Sequence, residues 1–399
     1  MKLPLWLSAL GAAMLAQAVS TFMGQALPVL APLLTASAGV APERIGNLSS
    51  LSSLASIAYM ALGGPILARF GPAASLQLGT AVAVIGLAVA SIGLWPALVA
   101  GALLMGLGYG PTAPASSRML QATAPPAHRS LIFSIKQAGA PAGGALAGLI
   151  IAPVAAFYGG MPALAVAIAA GALAVLAIQP VRRALDADRD PHRAIHLRAL
   201  FAWRNLASPF VALRRAPTIL PLTALAFSFA VAQGALFSFS VTYLTQGGLS
   251  LAAAGLAFAS LQVAGTVARI LLGWVADRTG RAALNLVIQA FLAAIAIAAY
   301  AMLPAGAPLW LIATAAAAAG FFGASWNGIF LAEVARLAPP GAVAEATAGS
   351  TMLCFMGYVI GPTLFAAAVP YWGWQVPFLL CAVQLALMGG VQGLLLRRA

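Results

Sequence analysis

Charge is scarce in this chain, and negative charge scarcest. Only 7% of its 399 residues are charged, against about a quarter in a soluble globular protein. The acidic residues are seven: Glu43, Asp186, Asp188, Asp190, Asp277, Glu333 and Glu345. Only Glu333 can fall within an apolar run, so there are no paired carboxylates for acid–base catalysis. Cysteine is limited to Cys354 and Cys381, both in apolar runs, which argues against a disulfide framework and against a thiolate metal site. The three histidines, His128, His192 and His196, lie between apolar runs. There is no Ser/His/Asp set and no nucleotide-binding loop. The G-x-G-x-G string in "GALLMGLGYG" (101–110) sits in an apolar stretch and reads as helix packing. The chain is therefore expected to be neither an enzyme nor a cofactor carrier.

What is abundant is hydrocarbon. Hydrophobic residues make up 62% of the chain and the mean hydropathy is +0.99. Uncharged runs cover 3–42, 45–68, 70–117, 137–181, 216–268, 282–332 and 346–396. A membrane-spanning helix needs roughly 20 residues. The first two runs hold one helix each, the first with room for a re-entrant piece. Each of the other five holds two, divided by a breaker: "LWPA" (94–97), "YGGMP" (158–162), "QGG" (246–248), "PAGAP" (304–308) and "PYWGW" (370–374). The expected fold is an all-α membrane protein of twelve helices in two pseudo-symmetric six-helix bundles, residues 1–181 and 216–399. The first helix lacks a small-residue cleavage site and is expected to remain.

The net charge of +13 would suggest a nucleic-acid partner in a soluble protein. Here it follows from topology. With both termini inside, seventeen of the twenty basic residues face the cytoplasm, one (Arg44) faces outward, and Lys136 and Arg269 fall within spans. The linker 182–215 is the longest polar stretch, and its second part, "LRALFAWRNLASPFVALRR", reads as an amphipathic helix on the anionic inner leaflet.

Two short loops repeat 209 residues apart: "GPILARFGP" (64–72) and "GWVADRTGR" (273–281). With the span count, they make the chain resemble the major facilitator superfamily over nearly its whole length. The second copy matches the family's loop motif at Gly273, Asp277, Arg278, Gly280 and Arg281. The first keeps Gly64, Arg69 and Gly71, with Ala68 in place of the aspartate and Pro72 in place of the basic residue. In that family the motif latches the gate. "KQAGAPAGGALAG" (136–148) is similar to the family's glycine–proline packing motif. The resemblance implies alternating access about a cavity between two halves. It does not name the cargo.

Charges inside spans are costly, about 2.5–3.5 kcal/mol at a helix centre, and mark functional candidates. Arg269 lies eight residues before Asp277, about 12 Å along a helix. This placement resembles the substrate-carboxylate arginine of the oxalate/formate antiporters and monocarboxylate transporters. The competing reading is that Arg269 snorkels to the inner surface or pairs with the end of another helix. Lys136 lies at a similar depth, about 10 Å past Arg129. In the superfamily its helix, the fifth, neighbours the eighth, so the resemblance implies that both cations face one chamber. Neutral candidates are Gln17 and Gln25 with Thr21 and Gly24 on the first helix, Gln233 with Ser240 on the seventh, Gln262 with Gly265 on the eighth, and Tyr109 and Asn327 on the fourth and tenth. Glu333, with Arg336 three residues on, is expected to form an ion pair.

These residues point to a monomeric transporter of a small organic anion, a monocarboxylate foremost, in a bacterial inner membrane. It would use a counter-anion or a proton as coupling ion. Two alternatives remain open at this stage: an efflux pump for hydrophobic compounds, and a transporter-like sensor with the basic linker as its output. The topology has its own test. Alkaline phosphatase fused after Arg44 is expected to be active outside the cytoplasm, and the same fusion after Arg118 inactive; the reverse pattern would invert the orientation.

Overall fold

The computed structural model describes residues 4–125, 129–196, 213, 218–304, 306–338 and 343–398. The amphipathic segment expected at 197–215 lies outside the described residues apart from Leu213. Among the described residues twelve helices are long and apolar enough to cross a membrane. They are α1 (Leu5–Val29), α2 (Pro42–Leu62), α3 (Pro72–Ala90), α4 (Trp95–Thr123), α5 (Ile135–Tyr158) and α6 (Gly160–Leu185). After the linker come α7 (Ile219–Gln246), α8 (Leu251–Thr279), α9 (Ala282–Ala301), α10 (Leu309–Leu337), α11 (Ala346–Trp372) and α12 (Gln375–Arg397). The breakers turn the chain where expected: Gly93, Gly159, Gly248, Gly306 and Gly373, in or beside them, all take positive φ. The first run holds, after α1, one short helix, Ala31–Ser37.

The chain forms two compact units. One comprises Met1–Val40 and Leu51–Leu206, the other Ala41–Ser50 and Ala207–Ala399. Residues 41–50 thus group with the second unit, a departure from a division by sequence order. Gly46 lies against the Phe239 ring and the Pro362 carbonyl, where no side chain would fit. Ser50 Oγ donates to the Val359 carbonyl at 2.7 Å.

Small residues let the helices of each unit touch backbone to backbone, the main source of helix association in lipid. In the first unit, Gly86 and Gly101 face each other across α3 and α4, as do Gly79 and Gly108. The G-x-G-x-G string is therefore a packing device, as its sequence suggested. Gly139 and Gly143 of α5 lie on the backbone of α1 at Met14 and Ala18. In the second unit, Gly357 and Gly361 of α11 lie on Phe227 and Val231 of α7. The repeat extends to these contacts. Gly106 of α4 rests on the Ser52 carbonyl of α2, and Gly320 of α10 rests on the Leu261 carbonyl of α8, 209 residues after Ser52.

The repeated loops share one backbone requirement and differ in what secures them. Gly71 has φ 89° and Gly280 φ 63°, values that favour glycine. The second loop ends α8, with Asp277 and Arg278 exposed and the Arg278 guanidinium 5.4 Å over the Trp274 ring. The first loop, which lacks the motif aspartate, is clasped by the start of the linker. Asp186, 4% exposed, accepts from the Ala73 and Ala74 amides at 2.7 and 3.0 Å, capping α3. Asp188 pairs with Arg118 at 2.9 Å, and Arg118 also donates to the Leu67 carbonyl. The Asp190 amide donates to the Ala68 carbonyl at 2.9 Å, and Arg69 donates to the Arg193 carbonyl at 3.2 Å.

Burial pushes the Asp186 carboxyl above the ordinary aspartate range, with the two amide bonds and then Arg182 and Arg189 pulling partly back. The folded state therefore holds this proton to higher pH than the unfolded state does. The stability the group contributes falls as pH climbs from the ordinary aspartate value through the folded one, and is level above it. Asp186→Asn is expected to remove that slope. It should also lower stability at neutral pH by about 1–2 kcal/mol, because an amide NH2 cannot accept from Ala73 or Ala74. Thermal unfolding in detergent across a pH series measures both.

Candidate functional site

Six helices, α1, α4 and α5 in the first unit and α7, α8 and α10 in the second, carry the polar side chains that the sequence singled out, and each unit has one broken span. The α4 span is interrupted after Tyr109 and resumes at Thr112; α10 is interrupted after Gly323 and resumes at Asn327. Tyr109 and Asn327, expected in mid-span, are thus the last residue before one break and the first after the other. Gly110 and Pro111 mark the first break. "GASWNG" (323–328) marks the second only weakly, and hydropathy runs through both. Discontinuous spans in corresponding places of two repeats are the usual pointer to a transporter's binding region.

In the second unit the α10 break is braced by three helices. Arg269 of α8 donates from Nε and Nη2 to the Ala324 carbonyl, both at 3.2 Å. Gln289 of α9 donates from Nε2 to the Phe322 carbonyl and to Ser325 Oγ, both at 2.8 Å. Ser325 Oγ in turn donates to the Phe321 carbonyl. The carbonyls released by the break are thereby answered from side chains, as a low-dielectric surrounding requires. Arg269 thus ties α8 to the end of the first segment of α10. Gln233 of α7 is buried, and its Oε1 accepts from Trp326 Nε1 and from Tyr358 OH, each at 2.9 Å. Trp326, 1% exposed, stacks on Phe229 with centroids 5.8 Å apart. Gln289, Ser325 and Tyr358 are not among the sequence candidates, since nothing in a polar residue's type reveals that it faces a helix break.

Gln262, 1% exposed, lies on the face of α8 that also carries Gly265, and among the described residues neither end of its amide has a partner. Ser240 of α7 is likewise buried, beside the Tyr300 hydroxyl of α9. Glu333 forms the expected pair with Arg336, at 2.6 and 2.8 Å. The carboxylate is buried and the guanidinium exposed.

In the first unit, the α1 residues Gln17, Ser20, Thr21 and Gln25 each present a buried oxygen with no partner among the described residues. Orphaned polar atoms cost about 1–3 kcal/mol each unless water or a ligand answers them. Their helix is the one on which Gly139 rests, with Gln17 Cβ about 3.6 Å from where a Gly139 side chain would begin. One turn before Gly139 is Lys136, 3% exposed. Its Nζ donates to Gln137 Oε1 at 3.1 Å, and among the described residues no carboxylate forms a salt bridge with it.

Twelve spans, a duplicated glycine–arginine loop and paired span breaks define a membrane carrier rather than an enzyme. The chain belongs to the Major Facilitator Superfamily, whose model matches residues 13–348. A search of the curated proteins finds no match to it. Among solved structures it is similar to a mutant of the peptide transporter POT in complex with sulfate, with 15% identity over 98% of this chain and 94% of that one and a TM-score of 0.76. A bacterial homologue of the human lysosomal transporter Spinster, in an inward-facing and unoccupied conformation, shares 15% identity over 99% and 97% of the two chains, at a TM-score of 0.74. A mutant of the nucleoside transporter NupG shares 16% over 97% and 98%, at 0.75. At such identities the likeness concerns the fold.

Gln289→Leu removes both donors from the α10 break while keeping the side chain's bulk. It is expected to lower the unfolding free energy by about 1–3 kcal/mol, read from detergent-solubilised melting. Gln289→Glu, which keeps the shape but cannot donate when ionised, should be no better.

Proposed function

We propose that this transporter carries a small organic anion, a monocarboxylate foremost, across a bacterial inner membrane, with both termini in the cytoplasm. The reading rests on Lys136. A buried ammonium with a neutral amide as its acceptor and no carboxylate pairing with it among the described residues is costly. A bound anion is the partner that relieves it. Arg269 is assigned the carboxylate fork in the second unit, exchanging its hold on the Ala324 carbonyl for the substrate. Gln262 and the α1 oxygens supply neutral hydrogen bonds, and Gln17 and Gln25 belong to that set. We also assign to substrate binding Tyr109 in the first unit and Gln233 and Asn327 in the second, each at or beside a span break of its own unit. The loop residues Gly64, Arg69, Gly71, Gly273, Asp277, Arg278, Gly280 and Arg281 are assigned to gating. The family scaffold also hosts efflux of hydrophobic compounds, in which cations would be structural. That description suits Arg269's bond to Ala324 and suits Lys136 less, since among the described residues its Nζ donates to the Gln137 side chain and to no backbone carbonyl. Apart from Glu43 at the start of α2, the membrane spans α1–α6 contain no carboxylate to act as a proton carrier, which favours anion exchange or facilitated flux over proton symport.

In proteoliposomes, saturable uptake of a labelled monocarboxylate is expected, with competition by other carboxylates and not by cationic dyes. Lys136→Gln should raise the half-saturating concentration at least about tenfold, about 1.4 kcal/mol, while Lys136→Arg retains part of the uptake. Arg269→Ala should abolish uptake, and Arg269→Lys should not rescue it, since a point charge lacks the planar fork. Dye efflux that persists in Lys136→Gln, with no anion uptake in the wild type, would replace this reading with the efflux one.

A further inference from the structure

Three arginines from three segments of the second unit frame a groove of about 720 Å³. Arg281 precedes α9, Arg336 lies near the end of α10, and Arg397 ends α12. Arg336 is answered by Glu333. Among the described residues Arg281 and Arg397 form no salt bridge, so the rim carries a net excess of positive charge. Below the rim the groove is apolar, lined by Val287 and Phe291 of α9 and Leu394 of α12.

Its depth discriminates between ligands. Ten residues separate Arg281 from Phe291 and seven separate Gly390 from Arg397, about 15 Å and about 10 Å along their helices. The polar layer on each side of a bilayer is only about 5–8 Å thick, so the groove passes through it into the hydrocarbon. A soluble anion has no use for that apolar depth; a molecule with an anionic head and an acyl tail uses all of it. The three glycines on α12 divide the work. Gly389 and Gly393 bring α12 against α9, where added side chains would meet Ala290 and Val287 at 3.1 and 3.4 Å. Gly390 has nothing nearer than the Phe291 ring at 4.0 Å and leaves the floor open.

We propose that this groove binds an acidic glycerophospholipid, its phosphodiester held by Arg281 and Arg397 and one acyl chain lying along Val287, Phe291 and Gly390. The site is independent of the substrate reading. It lies at the arginine-rich end of the spans, the end that faces the anionic leaflet if positive charge lies inside.

The test uses the full-length protein in phosphatidylcholine nanodiscs with and without phosphatidylglycerol, reading the melting midpoint and, by native mass spectrometry, the lipid retained. Phosphatidylglycerol is expected to raise the midpoint and to remain bound. Arg397→Gln should weaken retention about five-fold, equivalent to about 1 kcal/mol per basic residue. Gly390→Leu, which fills the floor and leaves the arginines in place, should abolish it. Both variants must melt cooperatively in pure phosphatidylcholine, which separates lost binding from lost fold. Glycerol phosphate that matches the lipid's effect would make this a soluble-phosphate site and overturn the proposal. Retention unchanged in both variants would overturn it as well.

Discussion

Every backbone N–H and C=O in hydrocarbon must find a partner within the protein, and the rest of this structure depends on that demand. Continuous helices meet it for most of the spans. Where α10 breaks, the demand falls on side chains, and Ser325, Gln289 and Arg269 answer the carbonyls of Phe321, Phe322 and Ala324. A permanent cation in a greasy helix thus has a structural reason to be there before any cargo is considered. It also means that a carboxylate reaching Arg269 would compete with a backbone carbonyl. Binding and the geometry of the break would then draw on the same donors.

Much of the architecture was legible in the residues. Long uncharged runs specify spans because the bilayer admits little else, and the five glycine breakers turned the chain where their positive φ was needed. The packing role of "GALLMGLGYG" and of Gly139 and Gly143 could be read because only a missing side chain permits such approach. The Glu333–Arg336 pair followed from a three-residue spacing on a helix. The breaks could not be read in the same way. Hydropathy is continuous across 95–123 and 309–337, so nothing in the apolar pattern separates Tyr109 from Thr112 or Gly323 from Asn327. The partners of a buried amide depend on tertiary neighbours, so Gln233 and Gln289 looked alike in sequence. One caps a Trp–Tyr pair by accepting from both, and the other braces a break by donating.

The two repeats diverge most in how their loops are fastened. The second copy keeps the motif aspartate, exposed at Asp277. The first has Ala68 in that place, and its loop is held instead by the segment that follows α6, through the Asp186 and Asp188 carboxylates and the Asp190 backbone amide. Acidic residues are so few in this chain that placing two of seven in this clasp amounts to a commitment. The arginines of the first loop and of α4 face acceptors that belong to the linker rather than to the motif.

That clasp fixes where the polypeptide can be cut. The linker reads as a tether between two halves, yet its opening residues are a working part of the first. A scission before Asp186 would strip α3 of its cap and leave Arg118 without its carboxylate. Cleavage beyond Arg193 would leave every one of these bonds on the N-terminal fragment. Attempts to express the halves as separate polypeptides, or to insert a reporter domain between them, therefore have an asymmetric boundary: the tether begins about eight residues after α6 ends.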